Sequence, residues 1–231
     1  NRVMWQTILL DNGFELEFPK EVLDEAHSYD GKITAEEEKK RRDFREITTF
    51  TIDPVDAKDF DDALSFQHLP NGNYEVGIHI ADVSHYMPVN SELDKFAALR
   101  ATSVYLVDGT LPMLPERLSN ELCSLRPNED KYCFAAVFEL DSKGKIYNEW
   151  FGRTIIHSKR RFAYEEAQEV IETGKGDLAD ELGILNRIAH ALRDERFKKG
   201  SINFDTVEPR FKLDANGQPT AIVLKERKDA H

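Results

Sequence analysis

The chain has 231 residues, 40% of them hydrophobic and 10% aromatic, and a formal net charge of −12. That is enough apolar material for one large domain, alone or with a small appendage, and the acidic balance argues against non-specific nucleic-acid binding, which relies on Lys and Arg neutralising phosphates. No run of about 18 apolar residues exists to span a membrane as a helix, and the two cysteines, Cys123 and Cys133, give neither a disulfide framework nor a zinc spacing. A reduced, cytoplasmic protein without a membrane partner is expected. Asn1 in place of Met, and the charged final stretch from Lys225 to Asp229, lead us to expect a piece of a longer protein. Net charge is an average, however, and a bound metal reverses the sign locally.

Taken in chain order, Val3 to Leu10 is apolar-rich, Asn12-Gly13 is a turn signal, and Phe14 to Phe18 alternates with period two. This predicts short strands over residues 1–20. Lys20 to Ala26 reads as a short helix after Pro19. The charge run over residues 35–45 predicts a solvated helix with Glu-before-Lys pairs. Ile47 to Ile52 is a β-branched strand that runs into an acidic loop. Ala63 to His68 and Tyr74 to Ala81 then form a hairpin across Pro70-Asn71-Gly72-Asn73, with Tyr74, Val76, Ile78 and Ile80 on one face. Residues 91–101 form a helix capped by Ser91. Tyr132 to Leu140 and Ile146 to Ile156 are strands joined at residues 141–145. Tyr164 to Thr173 and Leu178 to Lys199 have helical apolar spacing, and Gly200 stops the second. Ile202 to Phe211 and Ala221 to Leu224 return to strand. The fold class is mixed α+β.

Residues 53–62 hold five aspartates: Asp53, Asp56, Asp59, Asp61 and Asp62. Two unit charges about 4 Å apart repel by roughly 4 kcal/mol at an effective dielectric of about 20. Water, basic side chains or a hard divalent cation must offset that repulsion. Alternation along a strand puts Asp59 and Asp61 on one face and Asp62 on the other, and a turn through Pro54 to Lys58 folds Asp53 back toward them. Three or four carboxylates around one or two metal positions are expected. Such an ion activates water and clamps phosphate oxygens. A calcium EF-hand is excluded, since Val55, Ala57 and Lys58 occupy its third, fifth and sixth positions. A solvated acidic turn is the bland rival. Apolar strands on both sides of the cluster favour the metal.

These residues do not stand alone. Thr51-Ile52-Asp53-Pro54 with Asp56 to Ala63, His79 to Tyr86, Thr102-Ser103-Val104-Tyr105, Met113 to Asn120, Cys123-Ser124-Leu125, and Gly200 to Asp205 followed by Glu208 are matching phrases. Together they resemble the catalytic (RNB) domain of the ribonuclease II family, over roughly residues 40–231. The resemblance implies a mixed, largely antiparallel sheet with packed helices. It implies processive 3′-to-5′ hydrolysis of single-stranded RNA to nucleoside 5′-monophosphates with magnesium. The family's four acidic positions fall on Asp53, Asp59, Asp61 and Asp62, which hold or organise the metal, with Asp61 the one most needed for turnover. The family's tyrosine that packs against the 3′-terminal base falls on Tyr105; such stacking tolerates any base. Arginines of the family's second half that grip the scissile phosphate are not reached. Residues 1–18 are read as a remnant of a small β-barrel RNA-binding domain, 19–46 as a helical linker, and 47–231 as the N-terminal part of the catalytic domain.

Other groups carry weaker signals. Arg117 and Asn120 lie in a predicted loop and are assigned to substrate binding, because function concentrates in loops. His79, Asp82 and His85 form a thin metal trio, for which a structural role is the stronger reading. Lys159-Arg160-Arg161, with Phe162 and Tyr164, is either a phosphate contact or a solvated turn. Trp5 and Trp150 are read as packing. The rival to the nuclease reading is a non-catalytic RNA- or protein-binding module with an idle acidic loop.

Overall fold

The computed structural model describes residues 2–107, 109–202, 208–214, 218–225 and 227–231. In order, helices α1 (Arg2–Asp11), α2 (Lys20–Ser28) and α3 (Ala35–Glu38) precede strands β1 (Arg42–Asp43), β2 (Thr48–Asp53), β3 (Asp62–His68) and β4 (Tyr74–Ala81). Helices α4 (Val83–Tyr86) and α5 (Glu92–Arg100), the small strands β5 (Val104–Tyr105) and β6 (Thr110–Leu111), and a π-helix (Arg117–Leu122) follow. Strands β7 (Asp130–Leu140), β8 (Ile146–His157) and β9 (Arg160–Ala163), helices α6 (Tyr164–Thr173) and α7 (Ala179–Lys198), and strands β10 (Glu208–Leu213) and β11 (Pro219–Lys225) complete the chain.

Seven strands form the main sheet in the order β1-β8-β7-β4-β3-β2-β9. Its centre is antiparallel and its two borders, β1 on β8 and β9 on β2, are parallel. The expected α+β class holds. Gly72, at φ 86°, turns the β3–β4 hairpin as its sequence foretold. Ser91 Oγ caps α5 by accepting from Asp94 N.

The N-terminal strands do not form. Val3 to Leu10 is helical, and Asn12-Gly13 is the stop of α1, with Gly13 at φ 81° and Phe14 N donating to Leu9 O at 2.9 Å. An apolar run of that length fits either state, and the helix-ending glycine imitates a hairpin turn. Phe14 to Phe18 is irregular, and Phe18 packs on Phe96 at 5.3 Å. Helix α2 buries Val22 and Ala26 in the main core. The charge run is helical only to Glu38, after which Arg41 turns inward and is fully buried. The basic stretch, read as either a phosphate contact or a solvated turn, enters strand β9 at Arg160 and pairs in parallel with β2. Of the predicted strand from Ile202, residues 203–207 lie outside the described residues, and Glu208 onward forms β10.

Both sheet faces are covered over much of their extent. One packs Ala63, Ala135 and Val137 with Phe44 and Tyr132; the other packs Phe66, Val76 and Leu140 under Ile184 and Ile188 of α7. His79 lies in the middle of the sheet, fully buried, with Nδ1 3.1 Å from Thr154 Oγ1 and Nε2 2.9 Å from Ser65 Oγ. It is a structural histidine, as the sequence favoured. Burial, helped by nearby Arg42, pushes its pKa down to about 4. Below the unfolded value of about 6.5, the unfolded chain takes a proton that the folded chain refuses. The stability contributed by neutral His79 is therefore full above that value and lost as pH falls toward 4. Urea unfolding of wild type and His79→Gln at pH 7 and pH 5 checks this: the wild type is expected to lose about 2 kcal/mol relative to the variant.

Candidate active site

Strand β2 delivers Asp53 to the edge of the core, where it is 7% exposed. The chain then turns at Pro54, with Ala57 N donating to Pro54 O, and runs irregularly to Asp62, where β3 begins. Four anchors hold this loop. Arg161 Nη2 donates to Pro54 O at 2.6 Å and Val55 O at 2.9 Å. Ser124 Oγ donates to Lys58 O at 2.8 Å and accepts from Phe60 N at 3.1 Å. Leu125 N donates to Phe60 O, and Ala81 N to Asp61 O. Phe60 itself is buried. The loop is thus a built corner between β2, β3 and β4 and not a free acidic turn.

Charges are crowded there. Asp53 is raised to about 6, chiefly by burial and further by Asp62 and Asp61, while Thr51 and Arg161 pull it back. The Thr51 hydroxyl lies close enough to lower the pKa of Asp53, yet neither Thr51 Oγ1 nor Asp53 Oδ2 makes a hydrogen bond of full geometry. Asp61 is raised by desolvation, then by Asp59 and Asp62; Asp62 is raised by desolvation. Both remain reachable by solvent, so the protein mass on one side supplies the desolvation. Tyr105, on the β5–β6 hairpin, donates its hydroxyl to Asp59 Oδ2 at 3.3 Å, and its ring is 70% exposed.

The structure thus brings Asp53, Asp61 and Asp62 into mutual electrostatic contact and sets Tyr105 on Asp59. The expected gathering of three or four carboxylates about one point is not formed: no group of three acidic, His or Cys side chains among the described residues makes a metal cage. Magnesium asks for less, since it binds through one or two carboxylates with waters and phosphates filling its octahedron. A buried oxygen on Asp53 without a full hydrogen bond, beside Asp61 and Asp62 whose charges help to raise its pKa, fits such an ion.

Arg117 and Asn120 lie in a π-helix and not in a loop. Arg117 is engaged with Glu121 Oε2 at 2.5 Å and Tyr29 O at 2.7 Å, and Ser119 Oγ donates to Asn120 Oδ1 at 3.5 Å. None of these contacts reaches the acidic loop; the helix instead leads into Ser124 and Leu125, which do. Asp82 does not join the carboxylates. It is buried against Arg41 at 2.8 Å and caps α4 through His85 N. Arg160 is engaged by Glu166 and by Asp177. Sequence reasoning missed the bracing roles of Ser124 and Arg161, although Ser124 stood in one of the matched phrases.

An acidic corner at the end of a mixed sheet, with an aromatic side chain over it, defines a domain of recognisable class. Residues 41–231 match the RNB domain, and the chain belongs to that family. It is 44% identical over 241 residues to DIS3-like exonuclease 2 of Schizosaccharomyces pombe, covering 97% of this chain and 26% of that protein. The structure of Mycoplasma genitalium RNase R in complex with ribose methylated single-stranded RNA superposes with a TM-score of 0.90 at 29% identity, covering 99% of this chain and 36% of that one. Yeast Ssd1, described as a pseudonuclease, superposes with a TM-score of 0.64 at 26% identity over 72% of this chain and 21% of that one. The chain therefore spans about a quarter of the curated relative's length.

Proposed function

We propose that this chain is the portion of a magnesium-dependent 3′-to-5′ exoribonuclease that holds the acidic site and seats the terminal base. The substrate is single-stranded RNA, degraded processively to nucleoside 5′-monophosphates. The observation that carries the reading is the braced corner, with an unsatisfied Asp53 oxygen inside it and Tyr105 on Asp59.

Asp53, Asp59, Asp61 and Asp62 hold or organise the ion, which when bound activates water and neutralises phosphate oxygens. Tyr105 stacks on the last base, its orientation fixed through the hydroxyl bond to Asp59. Water adds to the last phosphorus, the bond to the preceding nucleotide's 3′ oxygen breaks, and that oxygen leaves with a proton. The released nucleotide keeps the phosphate on its 5′ oxygen. Arg161 and Ser124 keep the corner from shifting when phosphate arrives. Arg117 and Asn120 would act on substrate only after giving up their present contacts.

Likeness to a pseudonuclease keeps a second reading in play, in which the fold binds RNA with an idle acidic loop. All four acidic positions are present here, which favours catalysis. Magnesium titration followed by thermal melting separates the two. An ion binding the folded state at about 100 times its dissociation constant adds roughly 2.7 kcal/mol. A rise in Tm that disappears in Asp53→Asn is expected; no rise at millimolar magnesium favours the idle loop. Product analysis on RNA labelled at its 5′ end must show shortening from the 3′ end, and internal cuts would contradict the proposal.

A further inference from the structure

The sheet face that α7 covers at one end is bare at the other. Cross-strand register places Asp62 opposite Ile80, Ile80 opposite Phe134, and Phe134 opposite Arg153. Directly paired residues project from the same face, so these four side chains form one row across four strands. The next row ends in Phe151, paired with Ala136. Ile80 is 48% exposed, Phe134 42% and Phe151 64%. The Arg153 guanidinium lies 5.1 Å from the Phe134 ring centre, and its side chain is 42% exposed. Its ion-pair neighbour, Asp82 at 3.6 Å, is already held more closely by Arg41.

This strip is continuous with the acidic corner through Asp62. At about 4.8 Å per strand, Phe134 stands about 10 Å from Asp62 across the sheet and Arg153 about 5 Å further. Two exposed rings with a cation beside one of them match what a single strand of nucleic acid presents, namely flat bases and phosphates. An apolar protein partner would have to bury Asp62 and Arg153 along with the rings, which is unfavourable without matched charges. We propose that Ile80, Phe134, Phe151 and Arg153 form a stacking platform for single-stranded RNA, engaging nucleotides upstream of the one seated at Tyr105. The identity of the occupant rests on the exoribonuclease reading; the shape and chemistry of the strip do not.

Binding is read without turnover, in EDTA and low salt, by fluorescence anisotropy. The probes are a labelled oligouridylate long enough to cross the strip and a labelled uridine dinucleotide. Phe134→Ala and Phe151→Ala are each expected to weaken oligouridylate binding about fivefold or more, with dinucleotide binding unchanged. Phe134→Leu, which keeps apolar bulk without a ring, should weaken it too, and melting curves verify folding. Arg153→Gln should reduce the salt dependence by about one phosphate contact. Unchanged affinity in both alanine variants overturns the platform, as does equal loss for both probes or no binding by the wild type. A wild-type dimer on sedimentation that the phenylalanine variants abolish would make the strip an interface between copies and overturn it as well. Failure here leaves the cleavage assignment standing, and an idle acidic loop would leave this binding intact.

Discussion

An Asp61→Asn protein is expected to hold single-stranded RNA and fail to cut it. Asparagine keeps the shape of the side chain and removes its charge. The backbone carbonyl of residue 61 still accepts from Ala81 N, so the corner stays in place. What disappears is a carboxylate that helps to raise the pKa of Asp53 and is itself raised by desolvation, Asp59 and Asp62. Loss of a preorganised electrostatic group in a site of this kind costs about 10²–10³-fold in rate. Binding behaves differently. A carboxylate repels phosphate, so in the absence of a divalent ion the variant should bind RNA as tightly as wild type or more tightly. Single-turnover cleavage and anisotropy on the same preparation decide the matter. Undiminished cleavage would remove Asp61 from the mechanism.

Arg41→Met should be the most destabilising of the substitutions considered. Arg41 and Asp82 have side chains with no exposed surface, 2.8 Å apart. Their facing atoms, Nη2 and Oδ2, meet as an ion pair without hydrogen-bond alignment. Arg41 also donates to Glu37 Oε2 at 3.1 Å and lies over the Tyr132 ring at 4.3 Å. Without it, Arg153 at 3.6 Å is the cationic neighbour left to Asp82 among the described residues. Removing one partner of a buried pair costs about 3–5 kcal/mol, because the remaining charge is left uncompensated. The damage should reach the acidic corner, since Asp82 follows Ala81, whose N–H holds Asp61. Urea unfolding measures the effect. Adding Asp82→Asn to Arg41→Met should recover much of the loss, and a loss below about 1 kcal/mol would mean that water reaches Asp82.

Local signals carried most of the fold. The β3–β4 hairpin, the long β7 and β8, the cap at Ser91 and helix α6 all depend on residues a few positions apart. Failures came where distant contacts decide. Arg160 and Arg161 are poor strand predictors, and only pairing with β2 makes them one. Nothing near Arg117 signals hydrogen bonds of π-helical spacing. The Arg41–Asp82 pair joins residues 41 positions apart and was invisible. In the site, the aspartates and Tyr105 were legible because their density and companion phrases are unusual. The bracing by Ser124 and Arg161 was not, because it runs through backbone carbonyls, which every residue has.

The two borders of the main sheet are its two shortest strands, β1 with two residues and β9 with four. A long bare margin offers unpaired amide groups to any neighbouring chain and invites fibre growth. On one flank β9 pairs with four residues of β2, but on the other β1 covers only Thr154 and Ile155 of β8. The rest of that 12-residue strand has no strand partner on its outer side among the described residues, so in concentrated solution recruitment of a second copy should start along β8 rather than at β9.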